Sequence, residues 1–73
     1  MKQNIVGKTI KSIRMSRNIT QEVMVARLQS SGMDMSRSTY SKVEAQLRQV
    51  RDVELIAFAK ALGVPIEALF KDL

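Results

Sequence analysis

The sequence predicts an all-α fold. Apolar residues recur at helical spacing in five segments, and no run alternates apolar and polar residues over the length of a strand. The breaks between the segments fall on residues that start or stop helices, among them Thr20, Gly32, Ser36, Gly63 and Pro65. A chain of 73 residues has room for one small domain, 1–73. A core of that size is marginal unless tight helix packing or association supports it.

The first helix is expected from about Val6 to Arg17, with Val6, Ile10 and Ile13 on one stripe and Lys8 and Lys11 off it. Asn18 interrupts it. Thr20 is placed to cap a second helix, Glu22 suits the positive end of its dipole, and Met24, Val25 and Leu28 form its buried stripe. "QSSG" stops it, Gly32 being free to take the left-handed conformation. After "MDM", Ser36 is the expected N-cap of a third helix over about 36–47, in which Tyr40, Val43 and Leu47 fall at the spacing of one buried stripe. Asp52 is the expected cap of a fourth helix, whose stripe is Leu55, Ile56, Ala59 and Leu62 and whose end is Gly63. Pro65 suits the first turn of a short fifth helix through Leu69 and Phe70.

The composition narrows the chemistry. With no cysteine there is no disulfide framework or thiolate zinc site, and with no histidine the commonest general base and metal ligand are missing. The carboxylates are scattered singly; Asp52 and Glu54, the nearest pair, sit in a first helical turn, where acidic residues suit the dipole. Glycines 7, 32 and 63 stand alone and form no phosphate-cradling loop. The expectation is therefore no enzyme, no metal and no cofactor. No apolar run approaches the ~20 residues of a membrane span, and "MKQNIVGKTIKSIRM" lacks the apolar core of a signal peptide. A cytoplasmic protein without a membrane partner is expected.

Charge is unevenly placed. The net charge is +5 with a pI near 10.1. Residues 1–51 hold ten Lys or Arg against three Asp or Glu, or +7, whereas residues 52–73 hold two against four, or −2. A basic front and a mildly acidic tail suggest one surface for a polyanion and another for a partner; a merely solvated basic surface is the alternative.

The stretch "SRSTYSKVE", residues 36–44, bears on that choice without settling it. Short hydroxyls are modest helix formers, yet they line the outer face of the third helix together with Arg37 and Lys42. A helix lying in a major groove about 12 Å wide gains from small side chains that allow close approach. Ser36, Ser38, Thr39 and Ser41 can donate to phosphates or base edges, with Ser36, Thr39 and Ser41 taken as phosphate contacts, and Arg37 can grip a guanine with two hydrogen bonds. A polar surface helix with a serine-rich first turn is the bland reading of the same residues.

The order of the whole chain removes that balance. "IKSIRMSRNITQEVMVARL", then "MSRSTYSKVE", then "ELIAFAKALGVPIEALF" resembles the phage-repressor and Cro-type helix-turn-helix family, also called xenobiotic-response-element-like, over about residues 6–70. The resemblance implies a compact five-helix lambda-repressor-like domain with helices 2 and 3 as the helix-turn-helix. It implies base contacts from Arg37, Ser38 and Lys42, a phosphate contact from Gln21 with Arg17 in the same phosphate-facing set, and an ion pair between Arg14 and Glu44. The chain departs from the family in its longer turn "LQSSGMDMS", in Val25 where a small alanine is usual, in Val23 where a polar residue is usual, and in Gln46 where a glycine ends the recognition helix. Without that glycine the third helix is expected to run on and bring Arg48 to the phosphate backbone.

The function implied is a sequence-specific regulator of transcription, read first as a repressor, that binds a palindromic double-stranded operator as a homodimer in a bacterial or phage setting and is nucleoid-associated when bound. Ile66, Leu69, Phe70 and Leu73 repeat at helical spacing and are the expected dimer surface; the alternative is that Ile66 and Leu69 complete the monomer core and only Phe70 and Leu73 are left over. The alternative is an antitoxin-like protein whose main task is to neutralise a protein partner.

Overall fold

The computed structural model describes residues 1–71, so Leu73 lies outside the described residues. Four α-helices follow one another, α1 (Gly7–Ser16), α2 (Gln21–Ser30), α3 (Arg37–Glu44) and α4 (Asp52–Leu62), and a 3-10 helix (Ile66–Phe70) closes the described chain. Among the described residues there is no strand.

The caps explain most of the boundaries. The Thr20 hydroxyl accepts from the Val23 N–H at 3.1 Å, and the Ser36 hydroxyl accepts from the Thr39 N–H at 3.1 Å. Asn18 takes a left-handed φ of 57° and ends α1, while Gly63 at φ 74° ends α4. At α4 the expected cap is displaced by one residue. Arg51 is the N-cap and Asp52 the first helical residue, because the Glu54 side chain reaches back to accept from the Arg51 N–H at 2.9 Å.

Ile10, Met24, Leu28, Tyr40, Val43, Phe58, Leu62 and Leu69 are the large side chains sealed from solvent. Tyr40 and Phe58 meet edge to face with ring centroids 6.1 Å apart. The long turn between α2 and α3 is anchored by burying Met35 and by the Met33 N–H donating to the Leu28 carbonyl. The stripe expected on α4 is corrected at one position: Ile56 is exposed and Phe58 lies in the core instead.

Two further expectations are overturned. Helix α3 stops at Glu44 rather than near residue 47. Gln46, standing where the family has glycine, adopts a left-handed φ of 61°, and that conformation is held from outside the helix. Its Nε2 donates to the Asn4 carbonyl, and its own carbonyl accepts from the Gln3 N–H. Leu47 consequently swings out and is 66% exposed instead of joining Tyr40 and Val43. The second correction concerns Leu69, which is fully buried in the monomer core and therefore has no surface to offer a dimer.

Of the three glycines, Gly7 has the closest surroundings. A Cβ there would collide with the Val43 carbonyl oxygen at the end of α3. The Gly7 N–H is capped by Asn4 Oδ1 at 2.7 Å, and Asn4 Nδ2 also donates to the carbonyls of Val43 and Arg48. The start of α1 is thus built against the end of α3 backbone to backbone. Gly7→Ala should destabilise the protein by about 1–3 kcal/mol, the usual range for overpacking, whereas Lys8→Ala on the exposed side should change stability by less than about 0.5 kcal/mol. Urea unfolding of the two variants measures the contrast.

Candidate nucleic-acid interface

The interface is built on one helix with two unlike faces. On α3, Tyr40, Val43 and Glu44 are buried, while Arg37, Ser38, Ser41 and Lys42 are exposed on the other side, and the cap Ser36 is exposed ahead of the first turn. Thr39 is half-buried. The Ser36 hydroxyl donates to Thr39 Oγ1 at 3.0 Å, which leaves the Thr39 hydroxyl proton free to point outward.

What holds the back of α3 is a buried polar cluster. Arg14 on α1 donates through Nε to Glu44 Oε2 at 2.6 Å and through Nη2 to Oε1 at 3.1 Å, and its Nη1 donates to the Ile19 carbonyl at 2.7 Å. The Tyr40 hydroxyl donates to Glu44 Oε2 from one turn earlier, and Gln21 Nε2 donates to Oε1 at 3.0 Å. Four donors from α1, α2 and α3 therefore converge on one carboxylate. Among the described residues no buried side-chain polar atom lacks a partner. Burial by itself would raise the Glu44 carboxyl pKa, but the hydrogen bonds from Arg14, Tyr40 and Gln21 outweigh it and hold the group below the usual carboxylate range. Burial pushes the Tyr40 phenol up, and its bond to Glu44 adds to that. The Glu44 hydrogen bond keeps Arg14 more firmly charged against the opposing effect of burial.

A second buried carboxylate escaped the sequence reading. Glu54 on α4 accepts from Arg48 Nη1 at 3.1 Å and Arg48 Nη2 at 3.2 Å, with Arg51 Nη2 at 3.9 Å. Burial opposes its ionisation, but Arg48 first and the Arg51 N–H next hold its pKa low. Arg48 thus lies in the loop after α3, not on an extension of that helix, and spends both terminal guanidinium nitrogens on Glu54. The signal available was the spacing Arg48–Arg51–Glu54 itself, but nothing in the sequence marks that glutamate as buried.

The remaining site residues separate into groups. Gln21 is half-buried at the first residue of α2, with one amide hydrogen committed to Glu44. Arg17 turns toward the C-terminal end of α4, where a Cβ on Gly63 would lie 3.6 Å from its Nη1. Arg37 is joined to Glu22 on α2 at 3.1 Å. Ile66 and Phe70 are 37% and 41% exposed, unlike the buried Leu69. Phe70 also lines a shallow groove with Ile5, Val50 and Leu55. Among the described residues there is no group of acidic side chains able to hold a metal ion, and no helix is long and apolar enough to cross a membrane.

Two consecutive helices packed through a buried carboxylate, the second presenting a polar cationic face, define a helix-turn-helix protein. The helix-turn-helix family model matches residues 10–69. The chain belongs to that family in its Cro/C1-type form, and with it to the DNA-binding regulators of transcription. It is similar to the restriction-modification controller protein C.AhdI from Aeromonas hydrophila, with 28% identity and a TM-score of 0.76 over 89% of this chain and 91% of that one. It is also similar to the restriction-modification controller protein C.Esp1396I, solved as a tetramer in complex with its natural 35-base-pair operator, with 26% identity and a TM-score of 0.76 over 90% of this chain and 80% of that one. A search of curated proteins found no match.

Two outcomes are expected of the buried cluster. Glu44→Ala leaves the Arg14 charge buried and should cost on the order of 3–5 kcal/mol of stability, read by thermal or urea unfolding. Because the folded pKa values of Glu44 and Glu54 are depressed, the stability they contribute is complete above their unfolded values and is lost as pH falls toward the folded ones. The melting temperature should therefore hold steady down to about pH 4.5 and decline below it. Glu44→Gln, already neutral, should show a shallower decline than the unmutated protein.

Proposed function

We propose that this protein is a sequence-specific regulator that lays the outer face of α3 in the DNA major groove and acts as a symmetric homodimer on a palindromic operator. One observation carries the reading: Arg37, Ser38, Ser41 and Lys42 form a continuous exposed face on a helix whose opposite face is locked by Glu44. Arg37, Ser38 and Lys42 meet base edges. Ser36, Thr39, Ser41 and Gln21 donate to phosphates, Gln21 through its uncommitted amide hydrogen and the exposed amides at the start of α2. Arg17 and Arg48 add positive potential at the edges of the surface rather than contacts at its centre, since Arg48 is engaged by Glu54 and Arg17 points toward Gly63. Repression follows where the operator overlaps a promoter.

One copy of the fold reads only a short half-site, so a second copy must sit about 34–36 Å along the same DNA face. Phe70, which shares a groove with Ile5 and Leu55, and the exposed Ile66 supply the apolar surface for that contact. The relatives are restriction-modification controllers, one of them solved as a tetramer on its operator, which supports self-association on DNA as the working state of this chain.

Binding to duplex DNA should be sequence-dependent and should weaken by about 10³- to 10⁵-fold between 50 and 200 mM salt for a dimer neutralising six to ten phosphates. Equal affinity for all sequences, or a flat salt response, would contradict the reading. Arg37→Ala should cost about 1–3 kcal/mol on the operator and relax preference at one base pair, whereas Ser41→Ala should weaken all duplexes alike. Ile66→Asp with Phe70→Asp should sediment as a folded monomer with poor affinity for a palindromic site; unchanged sedimentation would place the dimer surface elsewhere.

A further inference from the structure

Glu22 is the second residue of α2 and Arg37 the first of α3, and Arg37 Nη1 meets Glu22 Oε1 at 3.1 Å across the turn. The two side chains are 60% and 72% exposed, so the pair contributes little to folding. Glu22 would also suit the positive end of α2 with no partner at all. What needs an account is its position. Glu22 is the one exposed carboxylate on α2 and α3, since Glu44 is buried. On a face that must approach phosphates, a negative charge weakens attraction to every sequence alike.

The way the pair is made supplies that account. Only Nη1 of Arg37 is used, and among the described residues its Nε and Nη2 donors have no partner. Those two donors form one edge of the planar guanidinium, the fork that matches the O6 and N7 acceptors of guanine. A free arginine on this surface would instead swing to the nearest phosphate oxygen and add affinity without discrimination.

We propose that Glu22 is a specificity-determining residue: it holds Arg37 by Nη1, so that the Nε–Nη2 edge is presented to a guanine and withheld from the phosphate backbone. The proposal rests on the reading of α3 as the helix that faces bases. At a site with guanine, Arg37 satisfies both acceptors while keeping Glu22. At a site without it, the restraint leaves Arg37 unmatched and the carboxylate uncompensated against nearby phosphates. Glu22 acts through Arg37 and is a positioning residue, not a base contact.

The test compares affinities for the operator duplex, for the same duplex with the responsible G·C pair changed to A·T, and for a random-sequence duplex. Glu22→Gln removes the charge and keeps the shape. It should bind the random duplex as tightly as the unmutated protein or more tightly, while its discrimination between the first two duplexes falls roughly three- to tenfold, the amount expected when one side chain loses its pre-organisation. Its melting temperature should fall by no more than several degrees, the amount a lost first-turn charge explains. In an Arg37→Ala background, Glu22→Gln should have no further effect on discrimination, because the residue through which it acts is gone. If Arg37→Ala leaves discrimination intact, the reading of Arg37 as a base contact fails and the proposal falls with it. If Arg37→Ala removes discrimination but Glu22→Gln preserves it, the reading of α3 stands and the proposal alone is overturned. A loss of affinity by Glu22→Gln that is equal for all three duplexes also overturns it, since that marks a residue serving only the end of α2.

Discussion

The ionised carboxylate of Glu44 is the constraint on which the rest of the structure depends. It is buried at the last residue of α3, and a charge in that position is tolerable only because four donors reach it. Those donors come from α1, from the start of α2 and from α3 itself, and the same Arg14 also satisfies the Ile19 carbonyl in the α1–α2 turn. One group therefore sets the relative placement of three helices. A hydrophobic residue at position 44 would fill space but would fix no angle between them, and the angle decides whether the outer face of α3 meets a groove squarely. Pre-organisation of this kind is where a recognition surface gains most, since few side chains are left to order on binding.

The same end of α3 is held by a second device. Gly7 allows the start of α1 to touch the Val43 carbonyl, and Asn4 bridges Val43 to Arg48. Gln46, tied to Asn4 and Gln3, takes the backbone conformation that ends the helix. In the usual pattern a glycine terminates the recognition helix by its own conformational freedom. Here a non-glycine residue does so because tertiary hydrogen bonds offset the steric cost, and the N-terminal segment becomes part of the mounting of α3. The Arg48–Glu54 pair extends that mounting to α4.

How far the sequence foretold this depended on whether the deciding interaction was local. The caps Thr20, Ser36 and Gly63 were legible because each acts within its own turn of chain, and the stripes of α2 and the first turns of α3 followed from period alone. Leu47 was misplaced because its spacing counted only if α3 continued, and what stops α3 is Asn4, more than forty residues away in the chain. Phe58 and Ile56 exchanged roles because "LIAFAKAL" is apolar nearly all round, so period does not fix its phase. Leu69 was offered to a dimer because apolar spacing alone does not tell a residue that completes the monomer core from one left on the surface, and Leu69 is sealed in the core. Within the candidate site, the Arg14–Glu44 pair was reachable through family resemblance, but the Glu22–Arg37 contact was not, since it depends on the path of a turn longer than usual.

The central claim is that α3, mounted in this way, reads base edges in duplex DNA. Selecting tight-binding duplexes from a random pool tests it most directly. The account predicts one enriched inverted repeat, with guanine at a fixed position in each half and half-site centres about 10–10.5 base pairs apart or a multiple of that. Recovery of duplexes that share no sequence, with affinity set by length and salt alone, would contradict it.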